Sequence, residues 1–397
     1  MPQRVFHLAI ERHVFPAASV EVGRVDDVLW RDAFGRLTYA DDAPGATIDT
    51  IFDLASLTKV IATAPLVMRA VEGGRLGLDD RVADFIACWR GADRERVTIA
   101  DLLEHASGLT AYLPFFRDHE GRDEFERAIC SLPLEYEPRT QSIYSDLGFM
   151  LLGFILEDVN RLPLGRQFDD FIAGVTSEPL AFHDRATEVA RHTPAPVEGA
   201  RHDRATKVAR YTPAPAEGAR HDRATEVARY MPAPAEGARH ARERTAPTEL
   251  DLWRGRLLQG EVHDENTWAL GGAAGHAGLF GTVGAVGTFA RAVLRGLLAG
   301  DSFASSETLQ RFARRSTVPG SSRALAWDTM LPTSSCGTRM SPRAIGHTGF
   351  TGTSLWIDPA RNLYVVLLTN RVHPTRDNNQ LQEFRRRLHD EIVGRWP

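Results

Sequence analysis

The sequence is poor in cysteine, in lysine and in long apolar runs. Its three cysteines, Cys88, Cys130 and Cys336, are too few and too scattered for a disulfide framework or a zinc site, so we expect small buried residues in a reducing compartment. No run of about 18 apolar residues occurs, and no segment is therefore expected to span a bilayer. The formal net charge of −5 gives no electrostatic footprint for nucleic acid or an anionic membrane.

The first residues lack the features of a secretory signal. Their apolar stretch is short and is broken by Glu11, Arg12 and His13. We therefore expect a cytoplasmic protein, or a periplasmic one if a leader has been removed. With 43% apolar and 25% charged residues among 397, the composition is typical of a globular protein with a sizeable core.

Lysine is almost absent, because Lys59 and Lys207 are the only two among 47 basic residues. Lys207 lies in a repeat whose other copies have Glu188 or Glu226 at that place, so Lys59 is the only lysine outside the repeats. A buried lysine can lose its proton near neutral pH, whereas arginine cannot. Lys59 is thus a candidate for proton transfer, and the alternative is that one lysine codon survived by chance.

A tandem repeat interrupts the chain. The motif His-Asp-Arg-Ala-Thr begins at His183, His202 and His221, a period of 19 residues, and continues in degenerate form from His240. The unit has few large apolar residues and nearly balanced charge, so stacked units could not bury a continuous core. Residues 183–248 are predicted to be an exposed insertion, flexible or partly helical, whose histidines are solvated and bind no metal.

Strand patterns lie near both ends of the chain and helical patterns lie between them. Two hairpins are predicted, one from 18–23 and 28–34, the other from 354–357 and 363–369. The fold class is therefore α/β (α+β), an antiparallel sheet flanked by helices plus an inserted all-helical domain. The predicted domains are 1–75 with 249–397, the helical 76–182 and the repeat insertion. Helices are also predicted from Ser56 to Gly73, over 280–298 and from about residue 379.

Ser56 and Lys59 are three residues apart at a predicted helix start, which places both side chains on one face. A serine hydroxyl needs a neighbouring base to become a good nucleophile. A lysine in apolar surroundings, with its pKa lowered toward roughly 7–8, could be that base. The helix N-terminus favours an anion there. The alternative is a capping serine with a surface lysine, although apolar residues follow Lys59.

Two further short motifs contain groups that could take part in catalysis. Tyr144-Ser145-Asp146 opens a predicted helix, where Ser145 or Asp146 could simply be a cap while Tyr144 points into a cleft and shares a proton with a lysine. The segment from His347 to Gly352 precedes a predicted strand. Its glycines would let a substrate lie along the strand edge, and its backbone N–H groups could bind an oxyanion, but a plain turn is an equal alternative.

Taken in order, Ser56-Leu57-Thr58-Lys59, Tyr144-Ser145-Asp146 and His347-Thr348-Gly349 resemble the three motifs of the penicillin-recognising serine hydrolases. Within them the chain is similar to the β-lactamase-related, S12-type group, which contains class C β-lactamases, serine DD-peptidases and family VIII carboxylesterases. Flanking stretches at 52–55, 102–109, 275–280 and 346–359 extend the resemblance to nearly everything outside the repeats.

The resemblance implies a β-lactamase/transpeptidase-like fold and acyl-enzyme chemistry without metal or cofactor. The substrate would be a small-molecule ester, β-lactam or peptide, and the chain alone does not indicate an oligomeric state. The implied roles are nucleophile for Ser56, proton handling for Lys59 and Tyr144, an oxyanion hole from the backbone N–H groups of Ser56 and Phe350, and substrate contacts from Asp146, His347, Thr348 and Gly349.

Two positions depart from the family pattern. Asp146 stands where many relatives have asparagine, so once ionised it cannot donate to a substrate amide. It would also favour a charged Lys59, which shifts proton transfer toward Tyr144. His347 replaces a permanent cation, so recognition of a β-lactam carboxylate would be weaker and pH-dependent.

A carboxylesterase or β-lactam hydrolase is favoured, since the absence of a visible leader argues against a cell-wall peptidase. The alternatives are a D-Ala-D-Ala carboxypeptidase or penicillin-binding protein, and a sensor that acylates without turnover. Sequence motifs of other serine hydrolases, zinc proteases and nucleotide-binding loops are absent. His263-Asp264-Glu265 could be imagined as metal ligands, but a solvated loop is the favoured interpretation.

Overall fold

The computed structural model describes residues 2–183, 242–300 and 302–397. The strands are β1 (Ala17–Gly23), β2 (Val28–Gly35), β3 (Phe52–Asp53), β4 (Leu180–Phe182), β5 (Leu250–Asp251), β6 (Arg256–Leu257), β7 (Leu279–Gly281), β8 (Asp328–Thr329), β9 (Ile345–Thr348), β10 (Ser354–Asp358) and β11 (Leu363–Thr369). The helices are α1 (Pro2–Glu11), α2 (Ala64–Glu72), α3 (Ile99–Leu103), α4 (Gly121–Ser131), α5 (Asp146–Asn160), α6 (Leu164–Ile172), α7 (Glu265–Ala269), α8 (Val283–Leu298), α9 (Ser306–Ala313) and α10 (Leu381–Arg395). A π-helical turn, Lys59–Thr63, leads into α2, and short 3-10 turns occupy Val82–Asp84 and Phe115–Arg117.

The main sheet unites the two ends of the chain. Its strand order is β2-β1-β11-β10-β9-β8, with antiparallel neighbours throughout. Both predicted hairpins are confirmed, because β1 pairs with β2 and β10 pairs with β11. The mixed helix-and-sheet class expected from the sequence is therefore the observed one.

The central strand β11 is buried on both faces, which explains its unbroken apolar sequence. Since alternate side chains point to opposite faces, Tyr364 and Val366 pack toward α8 and the helical body, whereas Val365 and Leu367 pack toward α1 and α10. The sheet is thus a layer between two apolar cores. This packing fixes strand β9, which lies beside the short edge strand β8 and leads into the glycine-rich turn.

The predicted helix over 280–298 begins later than expected. Residues Leu279–Gly281 form β7, which pairs with β3 and β4 in a small second sheet. The helix α8 starts after Thr282, whose hydroxyl accepts a hydrogen bond from the Ala285 N–H at 3.2 Å. The apolar run Leu279-Phe280 fits a strand as well as a helix, so periodicity alone could not place this boundary.

The expectation of three reduced cysteines is wrong for two of them. Cys88 and Cys130 form a disulfide, with their Cα atoms 5.8 Å apart. It joins the loop after the turn Val82–Asp84 to the end of α4. Cys336 is free and buried, as predicted. Spacing could not reveal the pair, because 42 residues separate the two cysteines and only the tertiary fold brings them together.

Most of the predicted repeat insertion lies outside the described residues, but its two ends do not. The ring of His183 stacks on Phe280 with centroids 4.1 Å apart. On the other side, Thr245 forms a parallel bridge with Ile51, and the Ala246 N–H donates to the Ile51 carbonyl at 2.8 Å. Residues 242–248 therefore belong to the folded body, and the boundary of the insertion moves from 248 to 241.

A helix must be long and apolar to span a membrane. None of the helices within residues 2–183, 242–300 and 302–397 has the length and apolar character required to cross a bilayer.

Replacing residues 184–241 with a short Gly-Ser linker should change the melting temperature by no more than a few degrees, because the repeat composition cannot form a core. Extending the deletion through residue 248 should lower it clearly further, since Thr245, Ala246 and Thr248 are buried against the body. Thermal unfolding followed by circular dichroism measures both. A cooperative transition lost in the shorter deletion would contradict this assignment of the repeats.

Candidate active site

Ser56 lies in the turn between β3 and the helix that leads into α2. The preceding residue, Ala55, has a φ of 46°, in the left-handed region that is costly for a residue with a side chain. The Asp53 carboxylate holds this turn by accepting the Ala55 N–H at 2.8 Å and the His263 N–H at 2.7 Å. The turn leaves Ser56 partly exposed while Leu57, Thr58 and Lys59 are buried.

Lys59 is the centre of the site and is fully buried. Its Nζ donates to Ser56 Oγ at 2.9 Å, to Asp146 Oδ1 at 2.7 Å and to the His276 carbonyl at 3.0 Å. An ammonium group has three protons, so all three are used. The structure brings the two side chains together, as their spacing predicted, with Lys59 buried and Ser56 partly exposed in the turn before the helix.

The charge state of Lys59 differs from the first expectation. Burial opposes the ammonium, yet the adjoining Asp146 carboxylate and the Tyr144 phenol raise the pKa of Lys59 above its ordinary value. The expectation of a lysine with a lowered pKa is wrong, and the second expectation, that Asp146 favours the charged form, is confirmed. Lys59 is therefore a buried cation that is neutralised by Asp146.

Tyr144 stands beside this pair at the start of α5. Lys59 Nζ is 4.9 Å from the centre of its ring, and burial raises the pKa of the phenol. Ser145 caps the helix, because its hydroxyl accepts the Gly148 N–H at 3.5 Å and donates to the Thr110 carbonyl at 2.7 Å. The capping and functional interpretations thus hold together: Ser145 fixes the helix start while its neighbours face Lys59.

His105 supports the start of α5, and its role could not be predicted from the sequence. Its Nδ1 accepts the Ser145 N–H at 3.0 Å, and its ring lies 4.6 Å from that of Tyr144. Burial, together with the nearby Arg323 and Lys59, holds the pKa of His105 well below its usual range, so the ring is neutral. It lies in the stretch 102–109 that carried the family resemblance, which was the available signal.

The glycine-rich turn after β9 docks directly on the Ser56 turn. Thr351 Oγ1 donates to the Asp53 carbonyl at 2.7 Å and Thr353 Oγ1 to the Leu54 carbonyl at 3.0 Å. A Cβ at Gly349 would sit 2.5 Å from the Leu54 carbonyl oxygen, so only glycine allows this approach. The peptide that follows Gly349 is thereby brought against the Ser56 turn.

Two backbone amides are left to act as donors at this junction. No hydrogen bond within the described residues uses the N–H of Ser56 or of Phe350. Thr348 is partly exposed at the end of β9, and Phe350 is half-exposed beside it. The sequence-based pair of oxyanion donors thus has the required freedom to bind a ligand oxygen.

His347 is buried beneath this edge and faces Tyr144, with ring centroids 5.8 Å apart. Its Nδ1 donates to the Thr348 carbonyl at 2.9 Å, which leaves Nε2 as an acceptor with no partner among the described residues. Burial, then Arg323 and Lys59, holds the pKa of His347 well below its usual range. His347 is therefore neutral at physiological pH, so it is not the pH-dependent cation that the sequence suggested.

Arg323 is the accessible cation of the site, and sequence reasoning missed it. Its guanidinium carbon lies 5.0 Å from the centre of the Tyr144 ring. Among the described ion pairs none includes Arg323. Its charge also depresses the pKa values of His105 and His347, which places it close to both. Arginine is so common in this chain that no sequence signal marked this one.

The triplet His263-Asp264-Glu265 is neither a metal site nor a solvated loop. His263 Nε2 lies 2.8 Å from Glu249, Asp264 Oδ1 lies 2.9 Å from His276, and Glu265 Oε1 lies 2.7 Å from Arg376. His263 and Glu265 belong to one network, because Arg376 donates to both Glu249 and Glu265, whereas Asp264 pairs with His276. Within the described residues no group of histidine, cysteine or carboxylate side chains is arranged to hold a metal ion.

Comparison with solved structures places this geometry on a known fold. The structure of "EstCE1, a hydrolase with promiscuous acyltransferase activity" matches with a TM-score of 0.68 and 19% identity, covering 99% of this chain and 97% of that one. An octameric penicillin-binding protein homologue from Pyrococcus abyssi matches with a TM-score of 0.66 and 18% identity, covering 99% and 77%.

Sequence comparison supplies the family. A provisionally named D-alanyl-D-alanine carboxypeptidase of Escherichia coli (strain K12) is 28% identical over 391 residues, which is 90% of this chain and 79% of the relative. A Salmonella gallinarum protein of the same name is 29% identical over 390 residues, with the same coverage. The family model described as Beta-lactamase matches residues 3–389. The chain therefore belongs to the beta-lactamase family, as its three motifs indicated, and is a serine hydrolase of ester or amide bonds.

Proposed function

We propose that Ser56 is the nucleophile of an acyl-enzyme reaction. The observation that carries this proposal is the 2.9 Å contact between Lys59 Nζ and Ser56 Oγ, in a buried cluster completed by Asp146 and Tyr144. Ser56 Oγ would bond to the substrate carbonyl carbon, and the bond from that carbon to the leaving group would break. Water would then take the place of Ser56 on the acyl group and regenerate the free hydroxyl.

The proton of Ser56 would be taken by the Tyr144–Lys59 pair. Lys59 donates all three of its protons in the resting site, so it has no free electron pair. The Tyr144 phenol lies beside Lys59, with Lys59 Nζ 4.9 Å from the centre of its ring, and both Lys59 and Ser56 act to lower its pKa against the effect of burial. The Tyr144–Lys59 pair must therefore first lose one proton to solvent. It can then accept the proton of Ser56 and pass that proton to the leaving group. During hydrolysis the pair would take a proton from water and return it to Ser56.

The developing negative charge would lie between the N–H groups of Ser56 and Phe350. Both are free of hydrogen bonds within the described residues, and the turn 349–353 is bonded to the carbonyls of Asp53 and Leu54, close in the chain to Ser56. Donors that are fixed before the reaction stabilise an oxyanion without reorganising.

Arg323 supports a substrate that has a carboxylate near the scissile bond. His347 is neutral, so the permanent cation of the family pattern is missing at its position. Arg323 supplies a positive charge beside Tyr144 instead, and guanidinium groups recognise carboxylates well. A peptide ending in D-alanyl-D-alanine is one such substrate, in keeping with the names of the similar enterobacterial proteins.

A neutral ester is the second candidate, and Asp146 favours it. The carboxylate of Asp146 accepts a hydrogen bond from Lys59 and has no proton of its own to donate. It therefore cannot form a hydrogen bond with the carbonyl oxygen of a substrate amide. An ester places less demand on such recognition. The two candidates differ in whether the leaving group must be charged.

We also propose that the protein works in an oxidising compartment such as the periplasm. Of the two expectations from the sequence, the disulfide between Cys88 and Cys130 supports the oxidising one, because such bonds persist outside the cytoplasm. Titration of free thiols in denatured protein purified without reductant would show one thiol if the bond forms and three if it does not.

Ser56→Ala should reduce hydrolysis of a short-chain p-nitrophenyl ester by about a thousandfold or more and abolish labelling by a fluorescent penicillin, because no other group replaces the nucleophile. Ser131→Ala, on an exposed part of α4, is the control and should retain activity. Persistent labelling of Ser56→Ala would overturn the assignment. Wild-type protein that labels once and turns over no substrate would favour the sensor alternative.

Arg323→Gln should remove a preference for charged leaving groups. The matched substrates are a phenyl ester and a 3-carboxyphenyl ester of one acyl group. We expect kcat/KM of the wild type to favour the carboxylate by about tenfold or more, since a charge-assisted hydrogen bond is worth about 1.5–3 kcal/mol. The variant should lose this preference and keep its activity on the phenyl ester. Arg343→Gln, at an exposed position, is the control, and equal ratios in all three proteins would favour the neutral-ester candidate.

Asp146→Asn should move the acidic limb of the kcat/KM profile to lower pH. The Asp146 carboxylate raises the pKa of both Lys59 and Tyr144, so its loss makes both give up a proton more readily. The profile with a p-nitrophenyl ester measures this shift. Asp158→Asn, an exposed carboxylate on the same helix that pairs with Arg122, should leave the limb in place. An unchanged limb in Asp146→Asn would show that the Tyr144–Lys59 pair does not control the reaction.

A further inference from the structure

Arg385 is a buried cation for which the fold provides no carboxylate. It lies on α10 with 7% of its surface exposed, and none of the described ion pairs includes it. Its Nε has no hydrogen-bond partner within the described residues. Burial, with Arg371 nearby, lowers the pKa of Arg385 to about 9, so the side chain is still charged at neutral pH. Burying an uncompensated charge is costly, and stability alone would favour an apolar side chain here.

The guanidinium of Arg385 is directed at the turn that docks on Ser56. Its Nη2 donates to the Thr353 carbonyl at 2.6 Å and to the Gly349 carbonyl at 3.2 Å. The same turn is closed by the Gly349 N–H, which donates to the Thr353 carbonyl at 2.8 Å, and by the Gly352 N–H, which donates to the Gly349 carbonyl at 3.1 Å. Arg385 thus donates to two carbonyls of the turn that docks on the Ser56 turn.

The Gly349 carbonyl and the Phe350 N–H belong to one peptide group. A cation that donates to the carbonyl oxygen draws electron density toward it and makes the N–H at the other end more positive. Because Arg385 is buried, water screens its charge little, and the charge also lowers the energy of an anion in front of that N–H. The peptide between Gly349 and Phe350 therefore links Arg385 on α10, at its carbonyl end, to the substrate carbonyl, at its N–H end.

We propose that Arg385 is a positioning residue that fixes and polarises the Gly349–Phe350 peptide as an oxyanion-hole donor. This inference rests on the proposed acyl-enzyme function at Ser56. Arg371 supports the next peptide in the same way, since its Nε donates to the Phe350 carbonyl at 2.9 Å. Unlike Arg385, it also donates to the carbonyls of Arg376 and Asn378 and so has a separate role in holding the loop before α10.

The test compares Arg385→Gln, Arg385→Met and Arg385→Lys with Arg386→Gln as the matched control. Arg386 follows Arg385 on α10 and also donates to two carbonyls, those of Ser334 and Pro332, but these lie away from the Ser56 turn. We expect kcat for ester hydrolysis to fall about tenfold or more in the Gln and Met variants with little change in KM, because the donor acts on the transition state. The Lys variant should recover part of the loss, and Arg386→Gln should keep the wild-type kcat.

An infrared measurement separates polarisation from a purely structural role. A substrate labelled with ¹³C at the reacting carbonyl gives an acyl-enzyme whose C=O stretch falls as its hydrogen bonds strengthen. The stretch should lie at higher frequency in Arg385→Gln and Arg385→Met than in the wild type, and at an intermediate value in Arg385→Lys. If the Met variant does not fold, the comparison of Gln with Lys gives the same answer.

The failures of the two proposals are distinguishable. If the wild type forms no acyl-enzyme at Ser56, the proposed function fails. If it does form one, and folded Arg385 variants keep the wild-type kcat and carbonyl frequency, Arg385 is only structural and this inference is overturned. A loss of kcat that is equal in Arg385→Gln and Arg386→Gln would also overturn it.

Discussion

The buried ammonium of Lys59 is the interaction on which the site depends. A buried charge is tolerated here because Asp146, Ser56 and a backbone carbonyl each accept a hydrogen bond from the ammonium group. These acceptors come from the helix start, from α5 and from the segment before β7. Lys59 therefore ties together three parts of the chain and sets the direction in which the Ser56 oxygen points.

The remainder of the architecture brings the strand edge to this cluster. The main sheet is held between two apolar cores, and its strand β9 ends in a turn that is bonded to the carbonyls of Asp53 and Leu54. Behind that turn, Arg371 and Arg385 on the C-terminal side hold its carbonyls. Residues from both ends of the chain thus contribute to the site, and the main sheet holds the two ends together.

Charge placement distinguishes this site from the pattern of its family. Asp146 neutralises Lys59, and burial keeps His105 and His347 neutral. Arg323 is then a cation beside Tyr144. Under the proposed function, this charge would bind a leaving group that has a carboxylate.

The three motifs, both hairpins and the capped start of α5 could be predicted from the sequence, because these features depend on neighbours within a few residues. Ser56 and Lys59 could be paired from helix geometry alone. Tertiary contacts were needed to bring Cys88 to Cys130, to set Asp146 against Lys59, to place Arg323 beside Tyr144 and to direct Arg385 at the turn. These are contacts between residues distant in sequence, and burial and charge at such contacts cannot be computed from local spacing.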